Sequence, residues 1–285
     1  MPVEITPLTA RDVDQYVELL RAGFGEELGQ RGTNIARVGR MARVMSSFGG
    51  LPLRLIKATT GRGLYTLVAK DGSRVVGVLT VIEGREPILI GAYIIEEYRR
   101  QGVALGLIRE ALRRLKKHGY SHVRGSVYNH TAQLLVERAG FAPYDHMDLY
   151  QCSLPKRTSV PDSVFVQRTR KVDLPRYPYD LGPLNLFTGV HIRCISIHSG
   201  DEETMEGMLI ALPHQTVGEI QVRIIVPGRE DTFSALLKAG YEWFSHLGRS
   251  SISIPLHDDT ASLATILTKE GFVKRHSWVQ LKRDL

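Results

Sequence analysis

The sequence has few of the features that mark secreted, metal-binding or membrane-spanning proteins. Its 285 residues include only two cysteines, Cys152 and Cys194, as is typical of chains that fold in a reducing compartment. The ten histidines form no H-E-x-x-H pattern and no C-x-x-C is present, so we expect no metal site. No apolar run approaches the roughly 20 residues of a membrane span, and the first residues do not have the pattern of a signal peptide. We therefore expect a cytoplasmic protein with no membrane partner.

Two common nucleotide-binding motifs are also missing. The chain contains no G-x-x-x-x-G-K-[ST] loop and no G-x-G-x-x-G fingerprint. Aromatic residues make up 7% of the chain, without a visible base-stacking motif. The sequence therefore does not fit a P-loop NTPase or an enzyme with the dinucleotide-binding fingerprint. Nucleic acid is ranked last among the partners considered.

A strand, a basic glycine turn and a helix occupy residues 88–119. The apolar run from Ile88 to Ile95 is too short for a helix and favours a buried strand. The turn Arg99-Arg100-Gln101-Gly102 follows it. The helix after the turn has one apolar face and ends near Gly119. Its buried face is predicted to comprise Leu107, Ile108, Ala111, Leu112 and Leu115.

This order of elements predicts an anion site. The first N–H groups of a helix have no partner inside it, and the helix dipole favours negative charge beside them. Arg99 and Arg100 add positive charge, and Gly102 allows a ligand to approach the backbone closely. The expected ligand is a phosphate or pyrophosphate, and the alternative is a solvated basic turn before a surface helix.

The net charge of +7 is concentrated in the part of the chain that carries this turn. Residues 1–160 hold 23 Lys and Arg against 15 Asp and Glu, whereas residues 161–285 hold 14 against 15. A polyanionic cofactor, nucleic acid or an acidic partner would each account for the excess, and so would a solvated surface.

Two blocks of sequence resemble the GNAT N-acetyltransferase superfamily. Arg99-x-x-Gly102-x-Ala104 is similar to the R/Q-x-x-G-x-G/A signature of that family. Asn129-x-x-Ala132-x-x-Leu135, followed by Glu137 to Phe141, looks like its N-x-x-A-x-x-L-Y-E-K-x-G-F block. The resemblance covers about residues 1–155. It implies acetyl-CoA as cofactor and the transfer of an acetyl group to an amine.

The resemblance also implies which residues contact the cofactor. The pyrophosphate would lie on backbone amides between Gln101 and Gly106, and a backbone N–H at Ile94 or Ile95 would bind the thioester carbonyl. The full predicted set is Ile94, Ile95, Arg99, Arg100, Gln101, Gly102, Val103, Ala104, Leu105, Gly106, Asn129, Leu135 and Arg138.

The catalytic groups are less well defined by the sequence. The resemblance implies a carboxylate base on or before the strand, for which Glu86 is the first choice and Glu83 the second. Tyr93 and His130 are further candidates, although Tyr93 could equally pack against a helix. The tyrosine that often serves as the general acid of the family is replaced by Val136, which cannot protonate a leaving thiolate.

The second half of the chain looks like a degenerate copy of the first. Residues 156–163 have the composition of a linker, so we predict a first domain at 1–155 and a second at 164–285. A helix predicted from Thr232 to Leu247, with Leu247 on its core face, ends at Gly248 as the first ends at Gly119. Glu230 and Asp231 replace part of the basic turn and would repel a pyrophosphate, and Asp231 would cap the helix.

The predicted fold class is α/β, with two GNAT-like domains, each a mixed and mostly antiparallel twisted sheet flanked by helices. The order of domains resembles double-GNAT proteins related to mycothiol synthase. The expected function is acetyl-CoA-dependent N-acetyl transfer to a primary amine that the sequence does not identify. The alternative is a non-catalytic module that binds or senses CoA, and a homodimer is left open.

Overall fold

The structure of the chain is a computed structural model. It describes residues 3–30, 34–47, 51, 55, 58, 63–84, 86–154, 164–168, 195–199, 207–213, 217–226 and 228–285. The predicted linker, 156–163, and Cys194 lie outside the described residues. Two compact units are formed. The described residues up to Tyr144, with Val279–Leu285, make the first unit, and those from Asp145 to Trp278 make the second.

Twelve strands and six α-helices have defined bounds within the described residues. The strands are β1 (Glu4–Pro7), β2 (Gly63–Asp71), β3 (Arg74–Glu83), β4 (Ile88–Ile94), β5 (His122–Val127), β6 (Ala142–Ser153), β7 (Val164–Arg168), β8 (Ile195–Ser199), β9 (Gly207–Pro213), β10 (Val217–Ile225), β11 (Ser251–His257) and β12 (Val273–Asp284). The helices are α1 (Val13–Gln30), α2 (Ile35–Ser46), α3 (Val103–Lys117), α4 (His130–Arg138), α5 (Glu230–His246) and α6 (Ala264–Lys269).

The first unit is a mixed sheet with helices on both faces. Its strands run in the order β1-β2-β3-β4-β5-β12, and all neighbours are antiparallel except β4 and β5. A tight hairpin joins β2, which ends at Asp71, to β3, which begins at Arg74, and Gly72 adopts a φ of 59° in its turn. The last strand supplies only its residues from Val279 onward, which pair with β5.

Strand alternation places the two cores of the first unit on opposite faces of the sheet. Leu67 and Ala69 of β2 join the core under α3, whereas Val68 between them joins the core under α1. The predicted apolar face of α3 is confirmed, and its five residues are at most 6% exposed. Burial of these side chains fixes where α3 begins, and therefore where the basic turn lies.

The second unit repeats this plan with different side chains. Its strands run in the order β6-β11-β10-β9-β8-β7, and β10 with β11 is the parallel pair. Helix α5 buries Phe233, Leu236, Leu237 and Phe244. The prediction for Leu247 is wrong: this residue follows the helix as its C-cap and is 40% exposed, since the chain already turns there toward Gly248 at a φ of 66°. The predicted fold class is confirmed.

Candidate functional site

A bulge interrupts strand β4 in the middle of its pairing with β3. Ile90 is opposite Thr80 and Tyr93 is opposite Val78, so β4 has one extra residue at this point. Gly91 adopts a φ of 61°, which glycine reaches without steric cost. The bulge takes Gly91 and Ala92 out of the regular ladder and bends the strand.

Strands β4 and β5 pair only at their beginnings. Among the described residues, the parallel register joins Ile88 to Arg124 and Leu89 to Gly125, and no later pair is formed. The remainder of β4 therefore presents a backbone edge to an open wedge between the two strands. Unpaired N–H and C=O groups along such an edge can bind an extended ligand as an added strand would.

The backbone N–H groups of Ile94 and Ile95 point toward opposite edges of strand β4. The N–H of Ile95 donates to the carbonyl of Val76 at 3.0 Å, so it is engaged in the sheet. Since backbone groups alternate along an antiparallel pair, the N–H of Ile94 points the other way, toward the wedge. The carbonyl of Ile94 does the same and accepts the Nε–H of Arg99 at 3.1 Å.

The basic turn leaves the first amides of α3 without acceptors. Two of its residues have left-handed backbone, Arg100 at a φ of 61° and Gly102 at 81°. The first helical bond runs from the N–H of Gly106 to the carbonyl of Gly102 at 2.9 Å, and no hydrogen bond formed by the described residues has a donor N–H from residues 101–105. Gly102 is the N-cap residue and has no side chain to fill that role. The amides thus form an anion-binding concavity at the positive end of the helix dipole.

The side chains of the turn hold it in shape. Besides its bond to Ile94, the Arg99 guanidinium lies 5.7 Å from the centre of the Tyr93 ring. Gln101 donates from Nε2 to the carbonyl of Glu97 at 2.6 Å, and Arg100 is exposed. The space above Gly102 is open, because a Cβ atom built there would meet no heavy atom within 4 Å.

The predicted cofactor residues inside α3 can offer their backbone and little else. Val103 is buried, and Ala104 and Leu105 pack partly buried against the same core. Gly106 lies close to β1, where a Cβ would come within 3.0 Å of the Ile5 side chain. A ligand at this helix end would therefore be held by amides rather than by side chains.

Of the residues predicted on and around α4, one caps the helix, one packs against the core and the others are exposed to solvent. Asn129 caps the helix, since its Oδ1 accepts the N–H of Ala132 at 2.7 Å, while its side-chain amide is exposed. Leu135 and Val136 pack partly buried against the core. Arg138 is exposed in the last turn, and His130 is exposed in the first.

The candidate bases lie away from the basic turn. Glu86 stands just before β4, at the closed end of the wedge, and forms a 2.8 Å ion pair with Arg124. Its carboxylate is also 3.6 Å from Nε2 of His122. The structure places Glu83 at the end of β3, where its buried carboxylate contacts Nδ1 of His118 at 2.7 Å. Glu83 thereby ties β3 to the end of α3.

Tyr93 packs against helix α1. Its ring meets Phe24 edge-on at 6.3 Å between centroids. A Cβ atom at Gly23 would lie 2.4 Å from the ring, so the glycine is needed for this contact. Of the two placements the sequence allows for Tyr93, the structure has the ring on the helix.

Part of the positive charge on helices α2 and α3 is neutralised by nearby carboxylates. Arg43 on α2 is paired with Asp14 of α1. Arg113 and Arg114 on α3 both bind Glu110 at 2.7 Å, and hydrogen bonding from Arg113 in particular holds the pKa of that carboxyl at about 2. These pairs reduce the charge that a nucleic acid could use. None of the described helices is long and apolar enough to cross a membrane.

A cavity of about 350 Å³ in the first unit contains functional candidates that sequence reasoning missed. It is lined by Arg109, Leu112, Arg138, Ala139, Gly140 and Arg283. Only Arg138 is among the predicted site residues. Arg283 comes from β12, and no local pattern could have connected it to α3 and α4.

The corresponding turn of the second unit has a different geometry. The N-cap of α5 is Arg229, with a φ of −105°, and the predicted cap, Asp231, is instead the second residue of the helix. Its carboxylate still lies at the helix start, where hydrogen bonds from Arg229 and from the backbone N–H of Thr232 lower the pKa of Asp231. An acceptor from the chain itself is therefore present where the first unit leaves amides free.

The part of the chain that contains this site is similar to a known protein family. Residues 46–141 match the sequence profile of the Acetyltransferase (GNAT) family. That range includes β4, the basic turn, α3 and α4. No curated protein sequence matches the chain significantly.

Solved structures extend the likeness to both units. A tandem GNAT protein from the clavulanic acid biosynthesis pathway is 13% identical and superposes with a TM-score of 0.67, covering 99% of this chain and 98% of that one. A GCN5-related N-acetyltransferase from Sphaerobacter thermophilus is 13% identical, with a TM-score of 0.65 over 99% and 95% of the two chains. One from Kribbella flavida is 16% identical, with a TM-score of 0.53 over 99% and 71%. At such identities the likeness is one of fold.

Proposed function

We propose that this chain, which has a GNAT acetyltransferase domain within a tandem GNAT fold, transfers the acetyl group of acetyl-CoA to a primary amine through its first unit. The family supports acyl transfer in general. The choice of acetyl-CoA as donor and of an amine as acceptor is the proposal.

The observation that carries the proposal is the row of unused amides at the start of α3. The N–H groups of residues 101–105 have no acceptor of their own, two residues of left-handed backbone hold them together, and the space above Gly102 is open. A pyrophosphate satisfies such donors and is favoured by the dipole of a fifteen-residue helix.

The open edge of β4 would hold the rest of the cofactor. The pantetheine arm has amide groups of its own, and these can pair with the strand edge beyond Leu89, where β5 has separated. The N–H of Ile94 lies on this edge and can donate to a thioester carbonyl oxygen as charge develops on it. Acetyl-CoA, when bound, supplies the activated acyl group.

Proton transfer is the step for which this chain has the fewest candidate side chains. Glu86 is ion-paired with Arg124 and stands beyond the Leu89–Gly125 pair, so it can take the proton of an attacking amine only through water. Val136 packs against the core and offers no proton for the leaving thiolate. We infer that solvent supplies that proton.

Calorimetric titration of acetyl-CoA into the wild-type protein and into Gly102→Glu tests the proposal. We expect one acetyl-CoA per chain, and at least a hundredfold weaker binding to the variant, because a carboxylate would occupy the anion site. Gly102→Ala is the matched control. It carries the same strain of a side chain at positive φ, about 1 kcal/mol, without the charge, so its binding should weaken by no more than about fivefold. Failure of acetyl-CoA to bind the wild-type protein would overturn the proposal.

A non-catalytic module that binds or senses CoA is the second candidate. It is favoured by Val136 and by the engagement of Glu86 with Arg124. The two candidates differ in turnover. Release of free thiol from acetyl-CoA in the presence of a panel of amines, reduced in Glu86→Gln, supports the transferase. Tight binding with no amine-dependent thiol release supports the sensing module.

A further inference from the structure

Three arginines surround the cavity that lies along the flank of α3. Arg109 comes from the middle of that helix, Arg138 from the last turn of α4, and Arg283 from β12. Arg109 is six residues beyond Val103, and therefore about 9 Å along the axis from the start of the helix. The cavity thus lies beside the helix rather than at its amide end.

The carboxylates nearest in sequence do not neutralise these arginines. Glu110, next to Arg109, is occupied by Arg113 and Arg114. Glu137, next to Arg138, accepts a hydrogen bond from Gln133 at 2.9 Å. Asp284 follows Arg283 in the strand, and successive strand residues point to opposite faces of the sheet.

Hydrogen-bond donors are in excess in the cavity. Each guanidinium has five N–H groups, and among the described residues their acceptor is the carbonyl of Ala139, which binds Nη1 of Arg283. That carbonyl is at the negative end of α4, which also suits Arg138 in the last turn. Arg138 and Arg283 therefore have a structural role at the end of α4. Arg109 lies on a different helix, and the end of α4 does not explain its position.

In the second unit, the positions that correspond to this cavity include a carboxylate as well as cations. Lys238 stands ten residues before Gly248, as Arg109 stands ten before Gly119. Lys269-Glu270-Gly271-Phe272 corresponds to Arg138-Ala139-Gly140-Phe141, so a carboxylate replaces an alanine.

The position of Arg283 is taken by a cysteine in the second unit. Cys152 pairs with Ile252 four residues after Gly248, as Arg283 pairs with Val123 four residues after Gly119. Burial and the nearby Glu270 carboxylate raise the pKa of Cys152 to about 12. The carboxylate is thus close to this position in the second unit, whereas the residues that line the cavity of the first unit include three arginines and no carboxylate.

We propose that this cavity of the first unit binds a phosphate monoester group. Three guanidinium forks match the oxygens of such a group, and the volume of about 350 Å³ leaves room for the sugar to which it is attached. The group could be supplied by the 3′-phosphate of CoA or by a separate phosphate. Only with the first source does the inference rest on the proposed function.

Calorimetry with three probes separates these sources. CoA, 3′-dephospho-CoA and inorganic phosphate are titrated into the wild-type protein and into Arg109→Gln/Arg138→Gln. Arg283 is left intact because it holds the end of α4. Arg113→Gln is the matched control, since it removes a cation from the same helix outside the cavity.

If CoA is the source, the wild-type protein should bind CoA at least tenfold more tightly than 3′-dephospho-CoA. The double variant should lose this preference, and the control should keep it. If the phosphate is separate, inorganic phosphate should bind the wild-type protein at millimolar concentration or below and fail to bind the double variant, while CoA and 3′-dephospho-CoA bind alike.

The inference is overturned if the wild-type protein neither prefers CoA nor binds phosphate, or if the double variant keeps the wild-type behaviour. Unchanged thermal unfolding of the variant shows that the fold is intact. Failure of the proposed function gives a different result, because both CoA compounds would then fail to bind the wild-type protein while the phosphate titration still decides the cavity.

Discussion

The two units of this chain share a frame, meaning the same order of strands and helices around the main helix, but they differ in the turn before that helix. Each has a bulge in the strand before its main helix and a parallel pair on one side of that strand, and each helix ends at a glycine with positive φ, Gly119 in one and Gly248 in the other. The turns before the helices differ. Gly102 opens α3 with free amides, whereas Asp231 places a carboxylate at the start of α5.

This difference indicates that the frame and the proposed anion site depend on separate residues. The frame is held by buried apolar side chains, and those are of the same kind in both helices. The anion site depends on a few backbone angles and on the absence of a competing carboxylate. A few substitutions at the turn could therefore remove the proposed anion site and leave the fold intact.

The largest effects should come from breaking the shared frame. Leu107 and Leu236 are both fully buried and both lie twelve residues before the glycine that ends their helix. We expect Leu107→Ala and Leu236→Ala each to lower the free energy of unfolding by about 2–5 kcal/mol, measured by urea denaturation.

The same pair of variants distinguishes the units by function. Only Leu107→Ala should also weaken acetyl-CoA binding, because α3 carries the basic turn. Equal weakening in Leu236→Ala, compared at a temperature where both proteins are folded, would show that the second unit takes part in binding.

A smaller effect is expected from loosening the turn of the first unit alone. Arg99→Ala removes the bond to the carbonyl of Ile94 and the cation from the Tyr93 ring. We expect acetyl-CoA to bind about tenfold more weakly, which corresponds to roughly 1.4 kcal/mol for a charge-assisted hydrogen bond. Arg229→Ala, at the corresponding turn of the second unit, is the control and should leave acetyl-CoA affinity unchanged. A loss in the control as large as in Arg99→Ala would contradict the assignment.

The frame could be predicted from the sequence because it depends on local patterns. The run from Ile88 to Ile95, the apolar face of α3 and the glycine at 119 are each readable within a few turns of chain. The fold class follows from their order and was predicted correctly. Leu247 was misplaced because a helical period continues in the sequence beyond the point where the chain turns away.

The site could be predicted only in part, because side chains meet across long sequence separations. The turn at Arg99 to Gly102 is local and is found from its motif. Arg283 binds the carbonyl of Ala139 across 144 residues of sequence. The engagement of Glu86 with Arg124 spans 38 residues and likewise has no local signature.

A still smaller effect concerns the ion-pair cluster around Glu110 of α3. Glu110 binds Arg113 and Arg114, whereas the position that corresponds to Glu110 in α5 is the buried Ala239. Hydrogen bonding from Arg113 holds the pKa of Glu110 at about 2, below the ordinary 4.5. A lowered pKa in the folded state stabilises the protein above pH 4.5, and this contribution is lost as the pH falls toward 2.

We therefore expect Glu110→Gln to lower the free energy of unfolding at pH 7 by about 0.5–1 kcal/mol, as measured by urea denaturation. The difference from the wild-type protein should shrink between pH 5 and pH 3. A difference that stays constant over this range would show that the carboxylate charge is not its cause.

The smallest change is expected from removing the carboxylate of Asp231, which lies at the start of α5. Asp231→Gly removes the acceptor at the start of α5 and gives the position the residue found at Gly102. We expect titration to find still only one acetyl-CoA per chain. The reason is the backbone. In the second unit Gly228 is left-handed, but the N-cap residue Arg229 has a φ of −105°, whereas in the first unit both Arg100 and the N-cap residue Gly102 are left-handed and bring the amides together. A second equivalent of acetyl-CoA in the variant would mean that charge alone separates the units, and that the amides of α5 are otherwise ready to bind.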